Sequence, residues 1–159
     1  MTDYRSPLLA RPGAVAGDGV DTGVAGHYGQ PYDEQRRLLS GEAVVDLSHR
    51  GVLKISGPDR LSWLHSLTTQ SLSGLAPFVS RETLILGPTG HIEHALHVVD
   101  DGEKTWVTTE PASGEAVAAW LDSMRFMLRV EVADVSESYA VIGEPVRGEG
   151  GAGSPVTWT

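Results

Sequence analysis

The sequence predicts an α+β fold in which two helices cover one face of an antiparallel sheet. Three observations predict it. Apolar residues recur at threefold and fourfold spacing near 58–72 and 113–126, which reads as two amphipathic helices. Short apolar or alternating runs at 51–56, 81–86, 91–99 and 129–133 read as strands. Pro88-Thr89-Gly90 joins the middle two as a hairpin turn. The resulting order, β, α, two or three β, α, β, is a βαββαβ-type, ferredoxin-like unit.

Residues 1–26 are rich in Gly, Ala, Pro and Val without helical or strand period, and are expected to form a flexible leader. Pro31-Tyr32-Asp33-Glu34 opens a short helix that runs through Leu39 and closes at Ser40-Gly41. Strands are expected at about 43–47 and at 51–56. Ser56-Gly57-Pro58-Asp59 then starts a helix, with proline suited to the first helical position, where no N–H is needed. Asp59 places negative charge against the positive end of the helix dipole, worth roughly 0.3–1 kcal/mol if exposed. Leu61, Leu64 and Leu67 follow at threefold spacing with Trp63 on another face, a helix of about four turns ending near Gly74.

After the hairpin, Asp100-Asp101-Gly102-Glu103 is a further turn signal, and Trp106 and Val107 mark another strand. Ser113 is placed to cap the second helix, which carries Val117, Trp120, Leu121 and Met124. Strands at 129–133 and 139–142 close the unit, and both Leu64 and Trp120 are expected in the core.

Composition narrows the function. A chain of 159 residues suits one modest domain, with 40% hydrophobic and 21% charged residues, both ordinary for a globular protein. The formal net charge of −9 argues against non-specific attraction to nucleic acid or an anionic membrane, and Arg36-Arg37 is too small a cationic group for a polyanion groove. With no cysteine there is no disulfide framework, thiolate metal site or cysteine nucleophile. No secretory signal or long apolar stretch is present, so a cytoplasmic protein without a membrane span is expected.

The runs Val44-Val45-Asp46-Leu47-Ser48-His49-Arg50-Gly51, Val52-Leu53-Lys54-Ile55-Ser56-Gly57-Pro58-Asp59-Arg60 and Leu64-His65-Ser66-Leu67-Thr68-Thr69-Gln70 occur here in a recognisable order. Together they resemble the start of the glycine-cleavage T-protein (aminomethyltransferase) superfamily, and within it the YgfZ-type folate-binding proteins. The likeness continues through Leu84-Ile85-Leu86-Gly87-Pro88-Thr89-Gly90 and Phe126-Met127-Leu128-Arg129-Val130-Glu131-Val132, so that about residues 27–146 are covered. The resemblance implies the N-terminal half of the T-protein/YgfZ folate-binding fold, with tetrahydrofolate as cofactor. Residues 147–159 then read as a glycine-rich linker and the start of a continuation, since Val156-Thr157-Trp158-Thr159 begins another apolar run. The family's Lys-Gly-Cys-Tyr-x-Gly-Gln-Glu motif is absent. Its place would be downstream.

Four residues are candidates for folate contact: Glu82, Leu84, His94 and Leu96. In aminomethyltransferases of the superfamily the segment matching Gly90–Ala95 reads Gly-Gly-x-x-Asp-Asp, its first aspartate serving the folate reaction, and here His94 and Ala95 stand in the aspartate places. A neutral imidazole can hydrogen-bond a pterin or exchange a proton near neutral pH. It cannot reproduce a carboxylate's stabilisation of a cationic centre. Glu82 stands where an aromatic is common in these enzymes.

Other constellations read as structural. His91, Glu93 and His97 suggest zinc, but strand residues four apart lie roughly 13 Å apart at about 3.3 Å per residue, too far for one ion. Asp46, Ser48 and His49 hold the residue types of a hydrolase triad, but neighbours in an extended segment point apart. Gly87-Pro88-Thr89-Gly90 lacks the lysine of a phosphate loop. Three readings remain: a YgfZ-type folate-binding protein supporting maintenance or repair of iron–sulfur enzymes, with iron–sulfur proteins as partners; a folate-dependent aminomethyltransferase; and a non-enzymatic interaction domain. Leu84, Ile92, Leu96 and Val98 are expected to form an apolar face covered by the C-terminal remainder or a second copy.

Overall fold

The computed structural model describes residues 4–145, so expectations for 147–159 lie outside it. In chain order the elements are β1 (Val15–Ala16), β2 (Ala25–His27), α1 (Pro31–Leu39), β3 (Val45–Asp46), β4 (Arg50–Ser56) and α2 (Arg60–Leu67). They continue with β5 (Ser80–Leu86), β6 (Ile92–Asp100), β7 (Lys104–Pro111), α3 (Gly114–Ser123), β8 (Glu131–Asp134) and β9 (Ile142–Gly143). The central sheet has the order β5-β6-β7-β4-β8 with every neighbouring pair antiparallel. The meander β5–β6–β7 supplies three strands between the two helices, the larger of the two numbers the sequence allowed. The sheet therefore exceeds the plain βαββαβ unit by one strand.

Alternation along these strands sends Leu53, Ile55, Ile85, Leu96, Val98 and Val107 to one face, where each has no exposed surface. Trp63 and Leu64 of α2 and Val117 and Leu121 of α3 pack on them, so both helices cover the same face. Leu64 is sealed as expected, whereas Trp120 is only half-buried at the margin of this cluster. Helix α3 sits close to the sheet because two glycines meet there. A Cβ at Gly51 would fall 2.7 Å from Gly114 Cα and 2.4 Å from Thr109 Oγ1.

Helix α2 is shorter than the apolar spacing suggested, ending at Leu67 rather than near Gly74. Thr68 turns to an extended conformation, and its hydroxyl donates to Leu64 O (2.9 Å). Thr69 N–H then donates to Leu84 O (3.1 Å), and Leu84 N–H donates to Thr69 Oγ1 (3.1 Å). The chain thus leaves the helix to cover part of the outer edge of β5, where strand bonds outweigh another turn of helix. Asp59, at the N-cap position, makes no side-chain capping bond. Its carboxylate instead receives a two-pronged contact from the Arg129 guanidinium, at 2.8 and 3.0 Å, plus the Arg129 N–H at 3.0 Å. Pro58 accordingly precedes the helix rather than opening it.

A buried ion pair fastens the next residue of α2. Arg60 Nε and Nη2 donate to Asp100 Oδ2 and Oδ1 at 2.7 and 2.9 Å, and the Asp100 side chain is 2% exposed. Burial pushes the Asp100 carboxyl up, but Arg60, the Thr105 hydroxyl and the Gly102 N–H together hold it below the ordinary carboxylate range.

The opposite sheet face is covered over part of its width. Val52, Trp106 and Val141 form a small cluster with Leu47, Val135 and Tyr139, and the Trp106 and Tyr139 rings meet edge to face at 5.0 Å. This cover arrives through the pairing of β3 with β9, which registers Val45 with Gly143. The expected strands at 43–47 and 139–142 thus reduce to two-residue pieces.

The described part of the expected leader, residues 4–26, carries 3-10 turns at Pro7–Ala10 and Gly19–Asp21 and, with His27, the β1–β2 ladder. Polar contacts too local for any period tie them down. The Ser6 hydroxyl donates to Asp46 Oδ2 (2.5 Å), Ser6 N–H donates to Gly23 O (2.8 Å), and Val24 is buried. Among the described residues no helix is long and apolar enough to cross a membrane.

Candidate functional site

The four residues expected to touch folate do not converge. Register pairs Glu82 with His97 and Leu84 with Ala95, placing these side chains on the open face of the β5–β6 hairpin. His94 pairs with Ile85 and Leu96 with Thr83, which places both on the helix-covered face. Leu96 is fully sealed in the core, so it supports the hairpin from behind and offers no surface to a ligand. Val98 is sealed in the same way. The expected apolar partner face is thus reduced to half-buried Leu84 and exposed Ile92, with Leu86 beside them. Glu82, Glu93 and His97 interrupt it.

His94 keeps one unusual feature. Its Nδ1 is closed to solvent and has no hydrogen-bond partner among the described residues, an arrangement that costs free energy unless something supplies one. The zinc reading gains no support, since no group of three or more potential ligands forms among the described residues. Asp46, Ser48 and His49 do not form a triad. Asp46 Oδ1 accepts the Ser48 N–H (3.0 Å), Ser48 Oγ accepts the Val141 N–H (3.2 Å), and His49 Nε2 lies 2.6 Å from Asp21 Oδ1. The first bond shapes the turn before β4, and the other two fasten the segments around Val141 and Asp21 onto it.

Two concavities lie elsewhere, along the N-terminal layer. One, of about 770 Å³, is walled by Arg11, His27, Tyr28, Glu34, Arg37 and Asp46 among others. A second, of about 600 Å³, shares Ala25, Gly26, His27, Val45 and Asp46 with it and ends at Asp21, His49 and Arg50. Sequence reading missed Arg11, His27 and Tyr28, which fall in or beside the presumed leader where no period marks them, and weighed Arg37 only as part of a cationic pair.

Comparison with known proteins identifies the architecture. The model of the GCVT N-terminal domain matches residues 9–143. A chloroplastic protein of Arabidopsis thaliana, classed provisionally as a transferase, is 26% identical over 140 residues, covering 85% of this chain and 31% of that protein. The aminomethyltransferase of Bacillus subtilis is 26% identical over 121 residues, 74% of this chain and 33% of its own length. The crystal structure of glycine cleavage system aminomethyltransferase T from Bartonella henselae superposes with a TM-score of 0.69 at 18% identity, over 81% of this chain and 36% of that one. At that identity the likeness shows fold. The chain spans about a third of the length of the curated relatives it matches. These relatives favour the aminomethyltransferase reading over the YgfZ-type one. The Asp46–Gln70 run builds a turn, β4 and α2, which serve the shared fold and cannot separate its branches.

Proposed function

Since this chain belongs to the GCVT N-terminal domain family, we propose that it is the N-terminal part of a tetrahydrofolate-binding protein of the aminomethyltransferase line. The observation that carries this reading is the family match across nearly all the described residues. Tetrahydrofolate supplies the nitrogen atoms that accept a one-carbon unit. For binding, the residues present fit only in part: Glu82 and Leu84 stand on the open hairpin face, whereas His94, with its orphaned Nδ1, lies on the helix-covered side. This part alone does not enclose a folate, because small-molecule sites bury most of their ligand. Calorimetric titration of tetrahydrofolate into the full-length protein and into residues 1–159 tests it. Saturable binding by the full-length protein and weak or absent binding by the short chain is expected. No binding by either would end the reading.

A second reading rests on one observation. His94 and Ala95 supply no carboxylate where the superfamily's transferases carry two, which favours a YgfZ-type protein that holds folate and supports iron–sulfur enzymes without transferring aminomethyl groups. Folate binding without measurable aminomethyl transfer, with affinity reduced in His94→Ala, is the outcome expected on that reading. Robust transfer would exclude it.

A further inference from the structure

The larger N-terminal cleft has a charge arrangement that the folate reading does not use. We propose that it binds a small molecule bearing an oxyanion, a carboxylate or a phosphate, through the Arg11 and Arg37 guanidiniums and the Tyr28 hydroxyl. The cleft volume, about 770 Å³, lies within the range of small-molecule sites.

Two of the three carboxylates in its wall, Glu34 and Asp46, already accept donors, although both keep their charge. Glu34 accepts the Tyr28 N–H at 2.9 Å on each oxygen and the Gln30 N–H at 2.9 Å, serving the start of α1. Asp46 accepts from the Ser6 hydroxyl and the Ser48 N–H. Glu42, at the rim, is the wall carboxylate that no donor occupies among the described residues. The cations are in the opposite condition. Neither Arg11 nor Arg37 forms an ion pair with a described residue, although Arg36, Arg60, Arg125 and Arg129 all do. Arg11 and Arg37 both line this cleft, and the fork of arginine suits oxyanions.

Tyr28 adds orientation. The Arg11 guanidinium lies 5.8 Å from its ring centroid, which restrains both side chains. Burial, and then the nearby Asp46 charge, push the phenol pKa up, so at neutral pH its hydroxyl is a donor. The apolar part of the wall, including Pro12, Pro31, Leu38 and Val44, suits an organic body behind the anion.

The test titrates two probes, benzoate and inorganic phosphate, into the full-length protein, with amide chemical shifts or calorimetry as readout. Saturable binding of at least one probe is expected, weakened at least tenfold in Arg11→Gln and in Arg37→Gln and several-fold in Tyr28→Phe. Benzoate alone points to a carboxylate ligand and phosphate alone to a phosphoryl one. The three side chains are partly or fully exposed, so an unchanged melting curve is expected to show that each variant folds. No saturation up to tens of millimolar, or binding unchanged in both arginine variants, overturns the proposal. Tetrahydrofolate binding at the hairpin is measured separately and does not bear on this result.

Discussion

The two faces of the central sheet are built from the same strands yet meet different fates. On the helix side, six aliphatic residues from four strands are fully sealed, and the polar residues among them, Thr83, Asp100, Thr105 and Thr109, are nearly so. On the other side, Val52 and Trp106 are covered by Val141 and Tyr139, while Glu82, Glu93 and His97 of the hairpin stay exposed. Alternation decides which side chains share a face, but what arrives later in the chain decides which face becomes dry. The closed face draws on residues as far as Val130 and Val132, whereas the open face takes most of its partial cover from residues beyond β8.

The largest expected effect is on the closed face. Asp100→Ala leaves the Arg60 guanidinium 13% exposed and unpaired, and is expected to cost about 3–5 kcal/mol in urea unfolding. A loss below about 1 kcal/mol would mean that the face is wetter than its burial indicates. Next comes the contrast between two leucines once grouped as one site. Leu96→Ala is expected to cost about 2–5 kcal/mol by opening a cavity in the core. Leu84→Ala, on the half-open face, should cost clearly less than Leu96→Ala. Equal losses would erase the distinction between the faces.

Smaller again is the borrowed cover. Tyr139→Leu keeps apolar bulk but removes the ring contact with Trp106, for an expected loss of about 0.5–1.5 kcal/mol. Acid titration sharpens the comparison without mutation. Because folding lowers the Asp100 carboxyl below its ordinary value of about 3.9, its stabilisation is fully present above that pH and is lost as pH falls through the lower folded value. Stability measured from pH 6 down to pH 2 should therefore decline in the acid limb, and Asp100→Asn should flatten that limb. Glu82→Gln, an exposed change, should stay within about 0.5 kcal/mol.

The sheet strands and both main helices were legible because their periods are long and their turn residues distinctive: Pro88-Thr89-Gly90 closes the hairpin, and Val117 and Leu121 reach the core together. The end of α2 was not legible, since Leu67 continues the apolar spacing and only the edge of β5 draws Thr69 out of the helix. The N-terminal layer escaped for another reason. Single bonds such as Ser6 to Asp46, across 40 positions, hold it in place, and no sequence period records a contact of that kind. Within the candidate site, Leu84 and Leu96 look alike in sequence, but strand pairing sends them to opposite faces and seals Leu96 in the core.

Adjacent residues Asp59 and Arg60 reach partners 70 and 40 positions away, Arg129 and Asp100. Neither contact can form until the chain between has been brought back, at an entropic cost that grows with the logarithm of the loop. Such contacts belong late in folding, so their loss should shorten the lifetime of the native state more than it slows the route to it. In a denaturant chevron, Asp100→Ala should raise the unfolding limb and leave the refolding limb nearly in place. The start of α2 then acts as a catch that closes last and governs how long the folded protein endures.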